Sequence, residues 1–334
     1  KPLEPGTPAI LPPPVKNSPP NRLGLANWLF QPEHPLTARV AVNRYWYMLF
    51  GNGIVKTIEE FGSQGDWPSN LQLLDWLAVD FRKSGWDVKR MLKQMIMSSA
   101  YRQNAQVSEA LLKLDPENRL LGRGPRFRLQ AEFIRDTILA ASGILVTDIG
   151  GKGVKPYQPP GLWNELSLGG NVRFVQDHGE KLYRRGMYTY WKRSAPAPSL
   201  TIFDTPTREK CVLRRSRTNT PLQALVLLND PQYIEAARNL AQKVALEAGD
   251  SLAARIVLAY RLATAHRPSF KTLNILKAAY KEELAIFRKD PARAAKLLKV
   301  GESKRDETID AAEHAALTII TSMILNLDAT VTKG

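Results

Sequence analysis

The sequence predicts a mainly α protein, with two helical, bundle-like halves joined by an irregular, basic, loop-rich segment that holds at most a short β element. Apolar residues recur with the helical spacing i, i+3, i+4 in residues 22–142 and again in 220–334. Residues 143–219 lack that spacing and are rich in glycine, proline and arginine. Residues 1–21 carry eight prolines, which favour an extended linker. A chain of 334 residues is long enough for about two compact units.

The N-terminal half contains four predicted helices, at 38–49, 71–81, 88–96 and 129–142. Gly51 and Gly143 follow the first and last of them and are typical helix stops. Ser69 and Asp87 precede the second and third and are expected to cap their free amides. These signals place the helix ends as well as the helices.

The C-terminal half contains five predicted helices, at 221–229, 231–245, 251–263, 271–289 and 304–327. Thr220-Pro221 and Asp230-Pro231 each place an N-cap residue before a proline at the first helical position. Between the halves, the alternation in "GMYTYW" at 186–191 predicts one short strand.

Charge is the strongest global signal in the sequence. The formal net charge is +15, and residues 171–217 hold eleven basic residues against four acidic ones. A basic surface attracts phosphate, sulfate, carboxylate or anionic lipid. Candidate binding residues are therefore expected where the basic residues are concentrated.

The first candidate is the stretch "RRSRTNTPLQALVLLND" at 214–230, in which arginines precede a helix that starts at Pro221. The first amides of a helix have no internal partner and carry a partial positive charge, so they favour anions. The candidate anion-binding residues are Arg214, Arg215, Arg217, Thr218, Asn219 and Thr220. In the alternative interpretation, the arginines pair with internal carboxylates such as Asp204 and Glu209 and only fix the loop.

The second candidate is "YRRGMYTYWKR" at 183–193, where cations alternate with aromatic rings. Its candidate residues are Arg184, Arg185, Tyr188, Tyr190, Trp191, Lys192 and Arg193. Flat rings beside charge are suited to stacking on sugars or nucleobases. In the alternative interpretation, the rings are core and the cations are its solvated rim. Nearby, Tyr157 and Trp163 on the proline-braced loop 155–167 are suited to the wall of a shallow groove.

Several common chemistries are excluded by the residues present. A single cysteine, Cys211, rules out an internal disulfide, a cysteine zinc cluster and the Cys-x-x-Cys-His attachment of c-type haem within these residues. Four scattered histidines show no metal-ligand spacing, so no metal ligand is predicted. No nucleophile elbow, Walker loop or dinucleotide fingerprint is present, and we assign no catalytic residue.

Several blocks of sequence together resemble one family. They include "HPLTARVAVNRYWYMLFGNGIV" at 34–55, "RRGMYTYWKRSAPAPSLTIFDTPTRE" at 184–209 and "RRSRTNTPLQALVLLNDPQYIEAARNLA" at 214–241. They resemble planctomycete-specific domain one, a family of unknown function, over about residues 20–265. His34 departs from the asparagine usual there, which puts no functional residue in doubt.

The resemblance implies a context for the chain. Members of that family usually form the C-terminal part of large exported proteins that also carry a cytochrome c-like domain. The resemblance therefore implies location in the periplasm or cell envelope, neighbouring domains of the same polypeptide as partners, and haem c, if present, in an upstream domain. It implies no cofactor within this chain and no catalytic residues.

Three functions are compatible with these observations. The first is a non-catalytic structural or binding module of a cell-envelope protein that holds an acidic or sulfated glycan through the basic segment. The second is a polysaccharide-acting enzyme that uses carboxylates near the 143–206 loops. The third, nucleic-acid binding, is disfavoured because the basic charge is not gathered on one amphipathic helix. We expect the first.

Overall fold

The computed structural model describes residues 6–164 and 173–334, so the predicted linker 1–21, the predicted segment 143–219 and the predicted loop 155–167 lie partly outside the described residues. The prediction of a mainly α fold is confirmed: helices dominate, and one two-stranded sheet is present in the described residues. The chain divides into two compact units, residues 1–127 with 334 and residues 128–333. None of the described helices is both long and apolar enough to cross a bilayer.

The first unit contains the helices α1 (Arg22–Phe30), α2 (Thr37–Phe50), α3 (Leu71–Lys83), α4 (Val88–Met97) and α5 (Glu109–Leu114). Its core forms where α3 and α4 pack on α2, around residues such as Val42, Trp46 and Leu77. Two ends match the sequence signals, because Gly51 ends α2 with φ 83° and the Asp87 carboxylate caps α4. The cap of α3 is Asn70 and not Ser69, since the Asn70 side chain accepts from the Leu73 amide.

The described part of the predicted linker contacts the first helix. The indole of Trp28 donates to the Pro12 carbonyl at 2.7 Å, and the Gln31 side chain donates to the Pro13 carbonyl at 3.0 Å. Helix α1 itself was not predicted, because its apolar residues do not gather on one face; Leu23 and Leu25 are exposed while Trp28 is buried.

The second unit contains α6 (Ala131–Ser142), α7 (Pro198–Thr201), α8 (Pro221–Asn229), α9 (Pro231–Glu247), α10 (Leu252–Thr264), α11 (Phe270–Lys289), α12 (Pro291–Leu298), α13 (Ala311–Leu325) and α14 (Asp328–Val331). The sheet pairs β1 (Phe127–Arg128) with β2 (Thr332–Lys333). The last long helix begins at Ala311 and not at 304, because the Asp310 side chain caps it there. Residues 291–298, which were not predicted, form α12 after a second Asp-Pro start, Asp290-Pro291.

Helices α9 and α13 form the centre of the second unit. Small residues such as Ala237 and Ala316 are fully buried where the two helices meet, and short side chains let helices approach closely. Helix α6 packs on α9, so it falls in this unit. The compact units therefore divide after Phe127, whereas the sequence-based division into 22–142, 143–219 and 220–334 groups α6 with the helices before it.

Residues 186–191 do not form the predicted strand. A 3-10 helix spans Gly186–Tyr188, and a single isolated bridge joins Thr189 to Val154. The Asp136 carboxylate of α6 accepts from the Gly186 amide at 2.6 Å, so this backbone donor is satisfied by a side chain and not by a neighbouring strand.

Candidate functional site

The junction before α8 is ordered by internal hydrogen bonds. Helix α8 starts at Pro221 as predicted, but the side chain of its N-cap, Thr220, makes no capping hydrogen bond. Two residues earlier, Thr218 donates its amide to the Asp204 carboxylate at 2.7 Å and its hydroxyl to the same carboxylate at 2.9 Å. The buried Gln223 donates to the Thr218 hydroxyl and to the Ile202 carbonyl. Asp204 therefore holds this turn through Thr218.

Arg215 is paired with an internal carboxylate on α6. Its Nη1 lies 2.7 Å from Oε2 of Glu132, whose side chain is 12% exposed, and Nη2 of Arg208 lies 3.9 Å from the other oxygen. The cavity beside Arg215 and Arg217 has a volume of about 10 Å³, which is room for about one water molecule. Arg214 and Arg217 are exposed and also have interaction partners. Asn219 and Thr220 are exposed at the surface.

A double-mutant cycle tests the role of this pair. We expect Arg215→Met and Glu132→Gln to show a coupling of about 1–3 kcal/mol in chemical denaturation, because the pair is partly buried and breaking it leaves a shielded charge. The control is the exposed pair Arg193 and Glu209, 3.3 Å apart, for which we expect about 0.5 kcal/mol or less. If the coupling energies of the two pairs are equal, Arg215 does not fix the segment before α8 to α6.

The second predicted surface separates into three parts. The Arg184 guanidinium lies 4.0 Å from the Tyr188 ring centroid and donates to the carbonyls of Asp148, Gly150 and Lys152. Tyr188 also accepts the Gly150 amide at 2.7 Å. This first part therefore braces the 148–152 loop.

The second part involves Trp191 and Arg193. The Trp191 indole donates to the Thr207 carbonyl at 3.0 Å, and the Arg208 guanidinium lies 4.6 Å from the Trp191 ring centroid. Arg193 pairs with Glu209. These contacts join residues 191–193 to residues 207–209. Arg185 lies apart from them, near the partly buried Asp136.

The third part is a cation–aromatic cluster of Lys155, Trp163, Tyr190 and Lys192. The Lys192 ammonium lies 4.6 Å from the Trp163 ring centroid, and the Lys155 ammonium lies 5.7 Å from it and 5.4 Å from that of Tyr190. Neither lysine forms an ion pair with a carboxylate among the described residues. Tyr190 as a residue is 44% exposed. Within residues 6–164 and 173–334, the cluster therefore presents two cations without a carboxylate partner beside a partly exposed aromatic residue.

A buried arginine on α6 fixes the backbone at residues 182–184, at the start of the second predicted surface. Arg135 is 1% exposed, and it donates to Oε1 of Gln232 at 2.7 Å, to the Leu182 carbonyl at 2.6 Å and to the Arg184 carbonyl. Oδ1 of the neighbouring Asp136 lies 3.9 Å from Nη1 of Arg135. Burial raises the pKa of Asp136, although the Gly186 amide and Arg135 both oppose the shift.

A buried carboxylate on α9 fixes a second part of the basic segment. Glu235 is fully buried and accepts the hydroxyls of Tyr157 and Tyr183 at 2.9 and 2.8 Å. It also accepts the amides of Glu302 and Ser303, at 2.7 and 2.6 Å. Burial, with the Glu235 charge next in importance, raises the pKa of the Tyr157 hydroxyl, so it stays a donor at neutral pH.

The anchoring residues on α6 and α9 were not predicted from the sequence, although α6 carries a usable signal. Glu132, Arg135 and Asp136 recur at i, i+3 and i+4 within an otherwise apolar helix. Such charges on a buried helix are expected to have specific partners. Within residues 6–164 and 173–334, no three His, Cys, Asp or Glu side chains are grouped to hold a metal ion.

The fold and these contacts define a mainly α protein of two units, in which polar side chains of α6 and α9 hold a basic, irregular segment. The chain belongs to the family PSD1, described as a protein of unknown function (DUF1553), whose sequence pattern matches residues 21–280. No curated protein and no solved structure matches the chain.

Proposed function

We propose that this chain is a non-catalytic binding module that holds an acidic or sulfated polysaccharide at the cation–aromatic cluster. The observation that carries the proposal is the position of Lys155 and Lys192 over the Trp163 ring with no carboxylate partner among the described residues. The arginine junction contributes less, because Glu132 already neutralises Arg215. The exposed face of Tyr190 supplies an apolar surface for a sugar ring beside those charges.

A further feature of the cluster favours an anionic ligand. Trp163 is 6% exposed, and its buried indole nitrogen has no hydrogen-bond acceptor in the part of the chain that the structure describes. A buried donor without a partner is costly, and a sulfate or carboxylate oxygen satisfies both it and the ammonium groups.

The wider context implied by the resemblance belongs to this proposal. In it, the module is part of an exported, multidomain planctomycete protein that docks on its neighbouring domains and is associated with cytochrome c. The single cysteine, Cys211, cannot provide the two thioether attachments of a c-type haem, so the proposal places any haem c in an upstream domain of the same polypeptide.

The test compares dextran sulfate with dextran, which share one backbone and differ in charge, by titration calorimetry with the full chain. We expect Lys155→Gln with Lys192→Gln to weaken dextran sulfate binding about 10-fold, since two exposed charge contacts are worth about 0.7 kcal/mol each. The control pair, Lys289→Gln with Lys296→Gln, removes the same charge from exposed positions on α11 and α12. We expect it to change affinity less than about 2-fold.

Two results would contradict the proposal. An equal loss of dextran sulfate affinity in the two double variants would mean that net charge alone binds the polymer. Tighter binding of a DNA duplex than of dextran sulfate, at equal charge concentration and salt, would favour nucleic acid instead.

A further inference from the structure

A second cavity in the second unit is separate from the predicted basic sites. It has a volume of about 620 Å³, within the range of about 300–1,000 Å³ usual for ligand sites. One wall consists of Tyr157, Gln158 and the two prolines that follow them, and the other consists of Ile202 and helix α8. The N-cap of α9, Asp230, lies at the end of the groove.

The lining of this groove offers an apolar surface that the described residues leave uncovered. Helix α8 is apolar on both faces: Leu227 is buried in the core, while Leu225, in the groove, is 53% exposed. A helix that is apolar all round is normally covered on every side. Pro159 and Pro160 are also exposed, and their rings present rigid C–H faces.

The polar groups of the groove are mainly hydrogen-bond acceptors that lack donors. Oε1 of Gln158 is buried and receives no hydrogen bond from any described residue. The Asp230 carboxylate accepts one, from the Gln232 amide at 3.0 Å, and an ionised carboxylate can accept several more. The Asn229 side chain uses its nitrogen on the Leu225 carbonyl, which leaves its oxygen available. A ligand that fits must therefore bring donors.

The charge of the groove restricts the ligand further. Among the described residues that line it there is no lysine or arginine, and Asp230 is its one carboxylate. An anionic group placed there would meet the Asp230 carboxylate, and the cation that acts on Asp230, Arg135, is 1% exposed and already donates to internal acceptors. The groove is thus unsuited to the acidic polymers that suit the lysine cluster.

We propose that this groove binds an uncharged sugar, as part of an oligosaccharide. Sugar hydroxyls donate to Gln158, Asn229 and Asp230, while the C–H face of the ring packs on Leu225 and the proline rings. An extended peptide fits less well, because the described lining contains no strand edge for main-chain pairing and only one aromatic residue, Tyr157. The inference goes beyond the cation–aromatic cluster and does not depend on it.

The experiment follows methyl groups of the full chain by NMR during titration with four neutral probes: maltohexaose, cellohexaose, xylohexaose and mannohexaose. We expect at least one probe, at up to about 10 mM, to shift the methyl signals of Ile202, Leu225 and Val226. Gln158→Met keeps the side-chain volume and removes the acceptor, so we expect about 5-fold weaker binding, the equivalent of one hydrogen bond. Asn229→Leu provides a second variant at an exposed position, and Gln106→Met in the first unit is the matched control.

Three outcomes would overturn the inference. The first is the absence of methyl shifts with all four probes, and the second is binding that neither Gln158→Met nor Asn229→Leu weakens. The third is a shift of the same methyls with protein concentration alone, which would make the groove an interface between copies. Dextran sulfate binding, measured on the same sample, reports separately on the lysine cluster, so failure of one proposal is distinguishable from failure of the other.

Discussion

Replacing Gly301 with alanine is expected to destabilise the second unit by about 4 kcal/mol or more. Gly301 has a φ of 87°, which is strained for alanine, and a Cβ there would lie 2.1 Å from the carboxyl carbon of Glu235. Glu235 cannot move aside without losing the hydrogen bonds from Tyr157, Tyr183 and the following turn. Chemical denaturation, monitored by circular dichroism, measures the decrease in the free energy of unfolding.

The control for this substitution is Gly249→Ala. Gly249 has a similar φ, 71°, but no atom lies within 4 Å of the position of its Cβ. We expect it to cost only the backbone strain, about 1 kcal/mol. If the two substitutions cost the same, the Glu235 carboxylate is not rigidly held and the turn at 301–303 does not anchor the basic segment.

The second large effect is expected for Arg135→Met. The change removes a buried cation and leaves the carbonyls of Leu182 and Arg184 and the side chain of Gln232 without a donor. Breaking one side of such a buried network costs about 3–5 kcal/mol. We expect a loss of that size in the free energy of unfolding, together with faster amide exchange in residues 182–186.

The matched control is Arg267→Met, at an exposed position after α10 where the described residues provide no ion pair. We expect it to change stability by less than about 0.5 kcal/mol. A loss of stability at Arg135 as small as this, or unchanged exchange in 182–186, would mean that α6 does not hold the segment.

The parts of the fold that were predictable are those set by neighbours in sequence. The starts of α4, α8 and α9 and the ends of α2 and α6 follow from Asp87, Pro221, Pro231, Gly51 and Gly143, which act within one helical turn. The strand predicted at 186–191 failed because alternation alone does not supply a pairing partner. Here the backbone donor of Gly186 is satisfied by Asp136, 50 residues away in the sequence.

The sequence predicted which basic residues belong to the candidate site, but it did not predict which acidic residues pair with them. The alternative interpretation of the arginine junction expected internal pairing with Asp204 and Glu209. In the structure, Asp204 binds Thr218, Glu209 pairs with Arg193, and Arg215 pairs with Glu132, 83 residues before it. Composition indicates that a cation needs an anion, but only the tertiary contact between α6 and the segment before α8 brings Glu132 next to Arg215. Whether these residues also bind an external anion stays a prediction.

The turn at 301–303 also bears on where this module ends. The family pattern stops at residue 280, yet Tyr157 and Tyr183, which lie within it, share the Glu235 carboxylate with amides at 302 and 303. Helix α13, which covers α9, lies entirely beyond the same point. The shared sequence is thus shorter than the second unit, and a chain cut at the family boundary would lack 10 of the 29 buried apolar residues that form the core of that unit.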